Sequence, residues 1–345
     1  MNRITTCFII LISIISCKKD YKPREVITIS IEKFKMDSTS IRAIEIINDS
    51  TVVYAGSVGD IGIVTASGKL KAIQKIITDT IVPHFRALAY TKESFYALSV
   101  GNPALLYKYQ NNIIDIVYKE EHEKVFYDCM KFFDALNGIA IGDPTDDCLS
   151  ILITRDGGNS WGKMDCKDLP KIKDGEAAFA ASNTNIAIVG ENAWVVTGGI
   201  KARIFHTSDM GLTWNVYNTP IIQGKSTTGI YTVDFYSETQ GIICGGDYTD
   251  KFGNYANKAI TNDGGKTWEV VAENMEPNYV SCVQYVPDTD GKEVLAVSTS
   301  GIFYSNNSGV NWDKVSDEGF YAIRFASKNV AWLSGNEIIA KMVIN

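Results

Sequence analysis

The chain is poor in the residues that most chemistry needs. Among 345 residues there are three histidines, His84, His122 and His206, scattered along the sequence. Beyond the first twenty residues the cysteines are Cys129, Cys148, Cys166, Cys244 and Cys282, with no CxxC spacing. A zinc site needs clustered Cys or His ligands, so no metal is expected. No GxGxxG or GxxxxGK[ST] occurs, and helical periodicity is almost missing. That leaves no helix N-terminus to receive a pyrophosphate, and no cofactor is expected. No stripe of Lys or Arg appears and the net charge is −7. A nucleic-acid partner, which requires a basic footprint, is excluded on that ground. No apolar run is long enough to cross a bilayer as a helix.

What is present is a repeat. Thr154-Arg155-Asp156-Gly157-Gly158-Asn159-Ser160-Trp161 returns as Thr207-Ser208-Asp209-Met210-Gly211-Leu212-Thr213-Trp214 and as Thr261-Asn262-Asp263-Gly264-Gly265-Lys266-Thr267-Trp268. A worn copy is Ser305-Asn306-Asn307-Ser308-Gly309-Val310-Asn311-Trp312. An element recurring at this spacing marks a repeat architecture. The residue types suit a tight hairpin turn. Asp156, Asp209 and Asp263 can accept from backbone N–H groups across the turn. The glycine two positions later supplies positive φ. Trp161, Trp214, Trp268 and Trp312 open the next strand and cover a neighbour. The octet is similar to the Asp-box, or BNR repeat, a structural turn of β-propeller blades and not a catalytic motif.

A second motif, apolar-x-small-apolar-x-apolar, recurs at 41–46, 85–90, 127–132, 176–181, 230–235, 280–285 and 320–325. Each copy precedes a strand, most of them ending in glycine: 52–56, 95–101, 138–142, 186–190, 241–245, 293–297 and 330–335. A third strand leads into the octet turn and a fourth leaves it. Four short strands per unit predict an all-β fold, a seven-bladed β-propeller of four-stranded blades spanning 25–345. Small residues in the motif, among them Ala43, Ala87, Cys129, Ala178, Cys282 and Ala322, fit crowded inner strands. Cys129 and Cys282 are read as packed core residues, not reactive thiols. The last unit lacks a fourth strand. Residues 24–31 alternate as a strand and are expected to supply it, closing the ring and removing an open edge. Cys148 and Cys166 flank the third unit's octet hairpin; whether they form a disulfide stays open here.

Residues 1–16 read as a signal segment: Arg3 gives a basic start and 7–15 are nearly all apolar. Ile14-Ile15-Ser16-Cys17 resembles a bacterial lipobox, in which the cysteine is lipidated. Residues 17–24 then form the lipidated cysteine and a polar tether. The chain is expected in the cell envelope, held to the membrane by a lipid on Cys17, with the outer membrane favoured and the side left open. An exported chain is permitted disulfides.

Because blade strands run up and down, the octet turns share one face of the disc. Inner-strand starts and second-to-third-strand loops share the other. That second face collects Arg42, Arg86, Asp128, Asp143, Glu176, Tyr231, Asp247 and Tyr321 as candidate ligand-binding residues at the channel mouth. Arg42 and Arg86 against Asp128 and Glu176 are the sharpest subset. Long loops at 142–148 and 245–257, the latter with Tyr248 and Asp250, are where binding on a rigid scaffold usually lives.

With the repeats placed, residues 40–345 resemble the photosystem II stability/assembly factor-like family of BNR propellers. The pieces carrying this are Phe126-Tyr127-Asp128, Gly142-Asp143-Pro144, Gly175-Glu176-Ala177-Ala178-Phe179 and Gly245-Gly246-Asp247-Tyr248. Photosynthetic members are assembly chaperones binding a reaction-centre precursor; the leader points to the non-photosynthetic bacterial branch. The resemblance implies a non-enzymatic binding scaffold for a protein partner or an extracytoplasmic ligand. Two alternatives are weighed. A sialidase-like glycosidase also carries Asp-boxes but needs an arginine cluster and a Tyr nucleophile with an acidic partner. A redox enzyme is the other, since some members carry that label.

Overall fold

The computed structural model describes residues 20–345 apart from 79. The expected signal segment, residues 1–16, and Cys17 lie outside the described residues. Every long element is a strand; one short 3-10 turn, Cys166–Asp168, is the exception. The strands form antiparallel sheets.

Four sheets have four strands each, taken in sequence order. The first is Phe85–Tyr90, Phe95–Ser99, Ala104–Gln110 and Ile113–Glu120. Tyr127–Phe132, Gly138–Gly142, Ser150–Thr154 and Gly162–Lys163 make the next. Ile186–Val189, Asn192–Val196, Arg203–Thr207 and Asn215–Asn218 follow. Cys282–Tyr285, Val294–Ser298, Gly301–Ser305 and Asp313–Ser316 form the fourth. A further sheet runs Thr228–Phe235, Gly241–Asp247, Lys258–Thr261 and Glu269–Val270, with Gly198–Gly199 and Glu176–Ala177 added on its inner edge.

The remaining sheet joins the two ends of the chain. Its order is Ala322–Ser327, Val330–Ile344, Ile29–Asn48, Thr51–Gly56, Asp60–Thr65 and Leu70–Lys75. Within Val330–Ile344 the chain folds back on itself, since Ile344 N–H donates to Asn329 O. The returning half pairs with the chain's beginning, from Ile29 opposite Ile344 to Lys35 opposite Ile338. Thr28 and Asn345 exchange two more backbone bonds. The expected pairing strand, 24–31, is therefore displaced by four residues. Two contacts set the register: Phe34 stacks on buried Trp332 at 5.9 Å, and Arg24 is held away by Glu293.

Middle strands such as Gly138–Gly142 and Val294–Ser298 are buried at every position. Each has a neighbouring sheet on both faces. One core cluster joins Ala87, Tyr96 and Leu98 to Tyr127, Met130 and Leu152 of the next sheet; another joins Ile242 and Cys244 to Val283 and Phe303. Burying each such large side chain contributes about 1.5–3 kcal/mol. Cys129, Cys244 and Cys282 are free and buried.

The four octets share one hydrogen-bond scheme. The first hydroxyl (Thr154, Thr207, Thr261, Ser305) accepts from the fifth-position glycine N–H at 2.8–3.0 Å. The third side chain (Asp156, Asp209, Asp263, Asn307) accepts from the seventh backbone N–H at 2.8–3.0 Å. Partial burial works upward on Asp156, but donors from Ser160 and Thr154 outweigh it and hold the carboxyl at about 2. Asp209 and Asp263 are lowered for the same reasons.

The turns also grip the preceding sheet. Tyr96 Oη donates to Gly157 O at 2.6 Å and Trp194 Nε1 to Gly264 O at 2.8 Å. Gly158 has φ +70°, and a Cβ there would sit 2.3 Å from Tyr96 Cε1. Gly158→Ala is expected to cost about 2 kcal/mol through backbone strain and loss of this grip. A lowered urea midpoint at unchanged slope measures it.

One inner strand is not where the motif placed it. Residues 176–181 were expected to be the fourth unit's inner strand and 186–190 its second. Instead Ile186–Val189 is the inner strand and Asn192–Val196 pairs with it as the second. Only Glu176–Ala177 of the expected stretch is strand. Its apolar, small-residue pattern serves another environment, described below.

Cys148 and Cys166 are joined in a disulfide, with Cα atoms 5.5 Å apart and 18 residues of separation. For a loop of that length the loss of chain entropy in the unfolded state gives about 3 kcal/mol. The double variant Cys148→Ala/Cys166→Ala is expected to lose about that much, read as ΔG of unfolding in urea.

Candidate functional site

The inner strands converge on a segment that fills the axis between them. Residues 178–185 are buried except for half-buried Phe179. Their hydrogen-bond partners come from all round. Arg42 Nη1 donates to Ala181 O and Arg86 Nη1 to Ala180 O, both at 2.8 Å. Asn183 donates to Leu88 O and accepts from Met130 N–H. Ser182 Oγ donates to Ser281 O, and Val233 N–H to Thr184 O. Arg324 Nη2 donates to Ser182 O at 2.9 Å and Asn183 O at 3.0 Å. A segment that bonds to this many inner strands must lie where they meet. Short side chains are needed there, and that accounts for the Ala-Ala-x-Ala-Ala-Ser sequence.

Above this plug, on the face opposite the octets, is a cleft of about 770 Å³. It is lined by Arg42, Arg86, Phe179, Tyr231, Tyr248, Tyr279, Tyr321 and residues 249–252 of the long loop. Phe179 stacks on Tyr231 at 4.3 Å, and Tyr231 meets Tyr279 edge-on at 5.0 Å. The Arg42 guanidinium lies 4.1 Å from the Tyr321 ring centroid. Tyr248, Phe252 and Tyr255 stand out of the loop, 54%, 69% and 63% exposed, and extend the aromatic shelf outward.

The charge of this cleft is unbalanced. The chain's strongly buried ion pairs use other arginines: Arg24 with Glu293, Arg203 with Glu176, and Arg324 beside Glu45. Among the described residues no carboxylate lies within ion-pair distance of Arg42 or Arg86. The Arg42 Nε is buried without a partner. Burial first, then the Arg42 charge, brings Arg86 down to about 10, which leaves it cationic at neutral pH. Arg86 Nε donates to His84 Nε2 at 3.1 Å. Burial, with the two guanidinium charges behind it, holds His84 down at about 4, so its ring is neutral and can accept.

Of the eight candidate mouth residues, Arg42, Arg86, Tyr231 and Tyr321 line the cleft and the other four do not. Asp128 is fully buried; burial and the nearby Asp143 raise its pKa, with Arg86 opposing. Asp143 is raised by burial to about 6 and accepts from Ala178 N–H, which holds the entry of the plug. Glu176 is sealed in a pair with Arg203 at 2.6 Å and accepts from Thr197 Oγ1. Asp247 accepts from the backbone and hydroxyl of Thr249 and fixes the start of the long loop. The sharpest subset thus divides, its arginines in the cleft and its acids committed elsewhere. Phe179 and Tyr279 went unnoticed in the sequence. The repeat motif places Phe179 in a strand, and Tyr279 lies just before the motif.

A glycosidase of the sialidase kind needs a third arginine in the site. Arg24, Arg155, Arg203 and Arg324 are all engaged elsewhere. It also needs an activated tyrosine. Burial pushes Tyr279 up to about 12, and Tyr231, likewise raised, donates to Thr227 O. A second cleft, about 790 Å³ on the octet face, includes Tyr96, Lys108 and Asp156. Lys108 donates to Asn159, Asp134 and Asp156 accept within their own turns, and the remaining charges, Lys92 and Glu93, are exposed and of opposite sign. The mouth is the cleft whose half-buried arginines have no ion-pair partner among the described residues.

No family model matches the chain, and no curated protein does. Solved structures do. One described as "YCF48 bound to D1 peptide" superposes with a TM-score of 0.66 at 12% identity, covering 94% of this chain and 98% of that one. "Crystal structure of RRP9 WD40 repeats" gives 0.63 at 11%, covering 91% and 97%. "Structure of U3-55K" gives 0.63 at 13%, covering 91% and 98%. At such identities the likeness concerns the fold, which is a β-propeller.

Proposed function

We propose that this β-propeller is a non-enzymatic binding scaffold that holds an extended, anionic segment of a partner protein at the channel mouth. The observation carrying this is the pair Arg42 and Arg86, together in an aromatic cleft that Asp250 also lines, with no carboxylate within ion-pair distance of either among the described residues. A guanidinium fork donates two N–H groups to one carboxylate in bidentate fashion, and the neighbouring rings offer flat apolar surface to the adjoining side chains. The propeller described with a bound peptide supports a peptide-binding role for the fold.

Three further parts belong to the reading. The ring has seven blades, closed by the N-terminal strand; the pairing of residues 29–35 with 338–344 supports this. The octets are Asp-box turns that hold shape, supported by their common hydrogen-bond scheme. The chain is exported and anchored in the envelope by a lipid on Cys17, which the lipobox-like leader supports and a disulfide-permissive compartment accommodates.

The test is crosslinking in the native cell followed by pull-down, with the wild type beside Arg42→Ala/Arg86→Ala. Loss of a specific captured protein in the variant is expected. An unchanged set of captured proteins would remove the mouth as the site.

A further inference from the structure

The chain leaves its folded body at a fixed point. Arg24 donates to Glu293 from its backbone N–H at 2.8 Å and from Nε at 2.9 Å. The Glu293 side chain is fully buried. Tyr21 donates its hydroxyl to the same carboxylate and its N–H to Asp290 Oδ2. Lys292 Nζ donates to Tyr21 O at 2.7 Å, and Lys328 Nζ lies 3.8 Å from the Tyr21 ring. Asn306, inside the fourth octet, donates to Arg24 O.

Each of these partners sits in or beside a turn on one side of the disc. Asp290 and Lys292 belong to the connection before Val294–Ser298, and Lys328 to the connection between Ala322–Ser327 and Val330–Ile344. In antiparallel sheets of four strands, the first-to-second and third-to-fourth turns share a face. The exit therefore lies on the octet face, across the disc from the mouth.

We propose that the octet face is the surface turned toward the bilayer, and that the mouth is presented to the aqueous phase, away from the membrane. This rests on the reading that Cys17 carries the lipid. Chain length decides the matter. From Cys17 to the first docked residue, Tyr21, is four steps, about 14 Å at full extension. Were the tether free as far as Thr28, eleven steps would reach nearly ~40 Å, enough for the body to turn either face to the membrane. The clamp on Tyr21 and Arg24 removes that freedom. Apolar exposure does not decide it, because Leu212 and Val310 stand out on the octet face while Phe252 and Tyr255 stand out on the other. The partner segment must then approach from solution.

The test uses the full chain made with its leader, purified from membranes and placed in phosphatidylcholine vesicles containing a lipid with a photoactivatable headgroup. Labelled peptides are mapped by mass spectrometry. Label is expected on the turns at 208–213, 288–292 and 306–311, and not on 248–256. Label on 248–256 equal to that on the turns would overturn the proposal. The variant Tyr21→Ala/Arg24→Ala frees the tether and is expected to lose the bias; an unchanged bias there would contradict the clamp. Intact mass shows separately whether Cys17 is lipidated. If it is not, the anchoring reading falls, and the orientation is read from a chain starting at Cys17 coupled through that thiol to a maleimide lipid. The same map is expected from it, and label on 248–256 again overturns the proposal.

Discussion

Replacing Arg42 and Arg86 together by alanine weakens binding of the partner segment by about a hundredfold or more. Each guanidinium–carboxylate bond to a charged acceptor contributes about 1.5–3 kcal/mol, and about 1.4 kcal/mol is tenfold in affinity. The measurement is a titration of the partner captured by crosslinking, at two salt concentrations, because the exposed share of the charge is screened. Both arginines also hold plug carbonyls, Ala181 O and Ala180 O. Stability must therefore be read beside affinity. The paired variant Arg42→Lys/Arg86→Lys keeps the charge, with all donors on one nitrogen each, but loses the planar fork. It is expected to fall between wild type and the alanine variant in affinity while keeping the thermal midpoint. Equal affinity in all three proteins would mean that the arginines serve the plug alone.

The second large effect lies on the axis. Arg324 is buried, 3% exposed, and donates to the carbonyls of Ile323, Ser182 and Asn183. Its Nε is 3.6 Å from Glu45 Oε1. Arg324→Ala removes the donor from Ser182 O and Asn183 O, leaves Ile323 O with Cys282 Sγ alone among the side chains, and leaves Glu45 with Lys131 at 3.3 Å. A buried acceptor left unsatisfied costs about 1–3 kcal/mol, so the loss of the bonds to Ser182 O and Asn183 O is expected to cost about 3 kcal/mol in all. Urea unfolding measures the loss, and amide exchange at 178–185 should rise before that of the surrounding strands. A loss under about 1 kcal/mol would mean that the plug is held by Ser182, Asn183 and Thr184 without the arginine.

What the sequence displayed and what it concealed divide by the range of the interaction. The octets were legible because their bonds run between residues two to four apart, as from Ser160 to Asp156. Strand order followed from the repeat. The strand near residue 30 that pairs with residues 338–344 is legible as an alternating stretch, but its register is not, because Trp332 and Glu293 set it from far along the chain. Residues 176–181 deceived for a physical reason. Small and apolar residues suit a crowded inner strand, and they suit a segment lying among inner strands equally well. At the mouth, Arg42, Arg86, Tyr231 and Tyr321 could be placed by counting along each unit. Their acidic neighbours could not, since Glu176 is settled by Arg203 and Asp143 by the plug backbone. The disulfide stayed open for the same reason: flanking a hairpin puts Cys148 and Cys166 near each other, and only the fold brings their Cα atoms to 5.5 Å.

Amide hydrogen exchange of the full chain, alone and saturated with its captured partner, tests most directly whether one rim of the propeller does the binding. New protection is expected at 179–181, 248–252 and the backbone around Tyr279 and Tyr321, with the octet turns unchanged. Protection confined to the octet turns, with the mouth exchanging as in the free protein, would contradict the account.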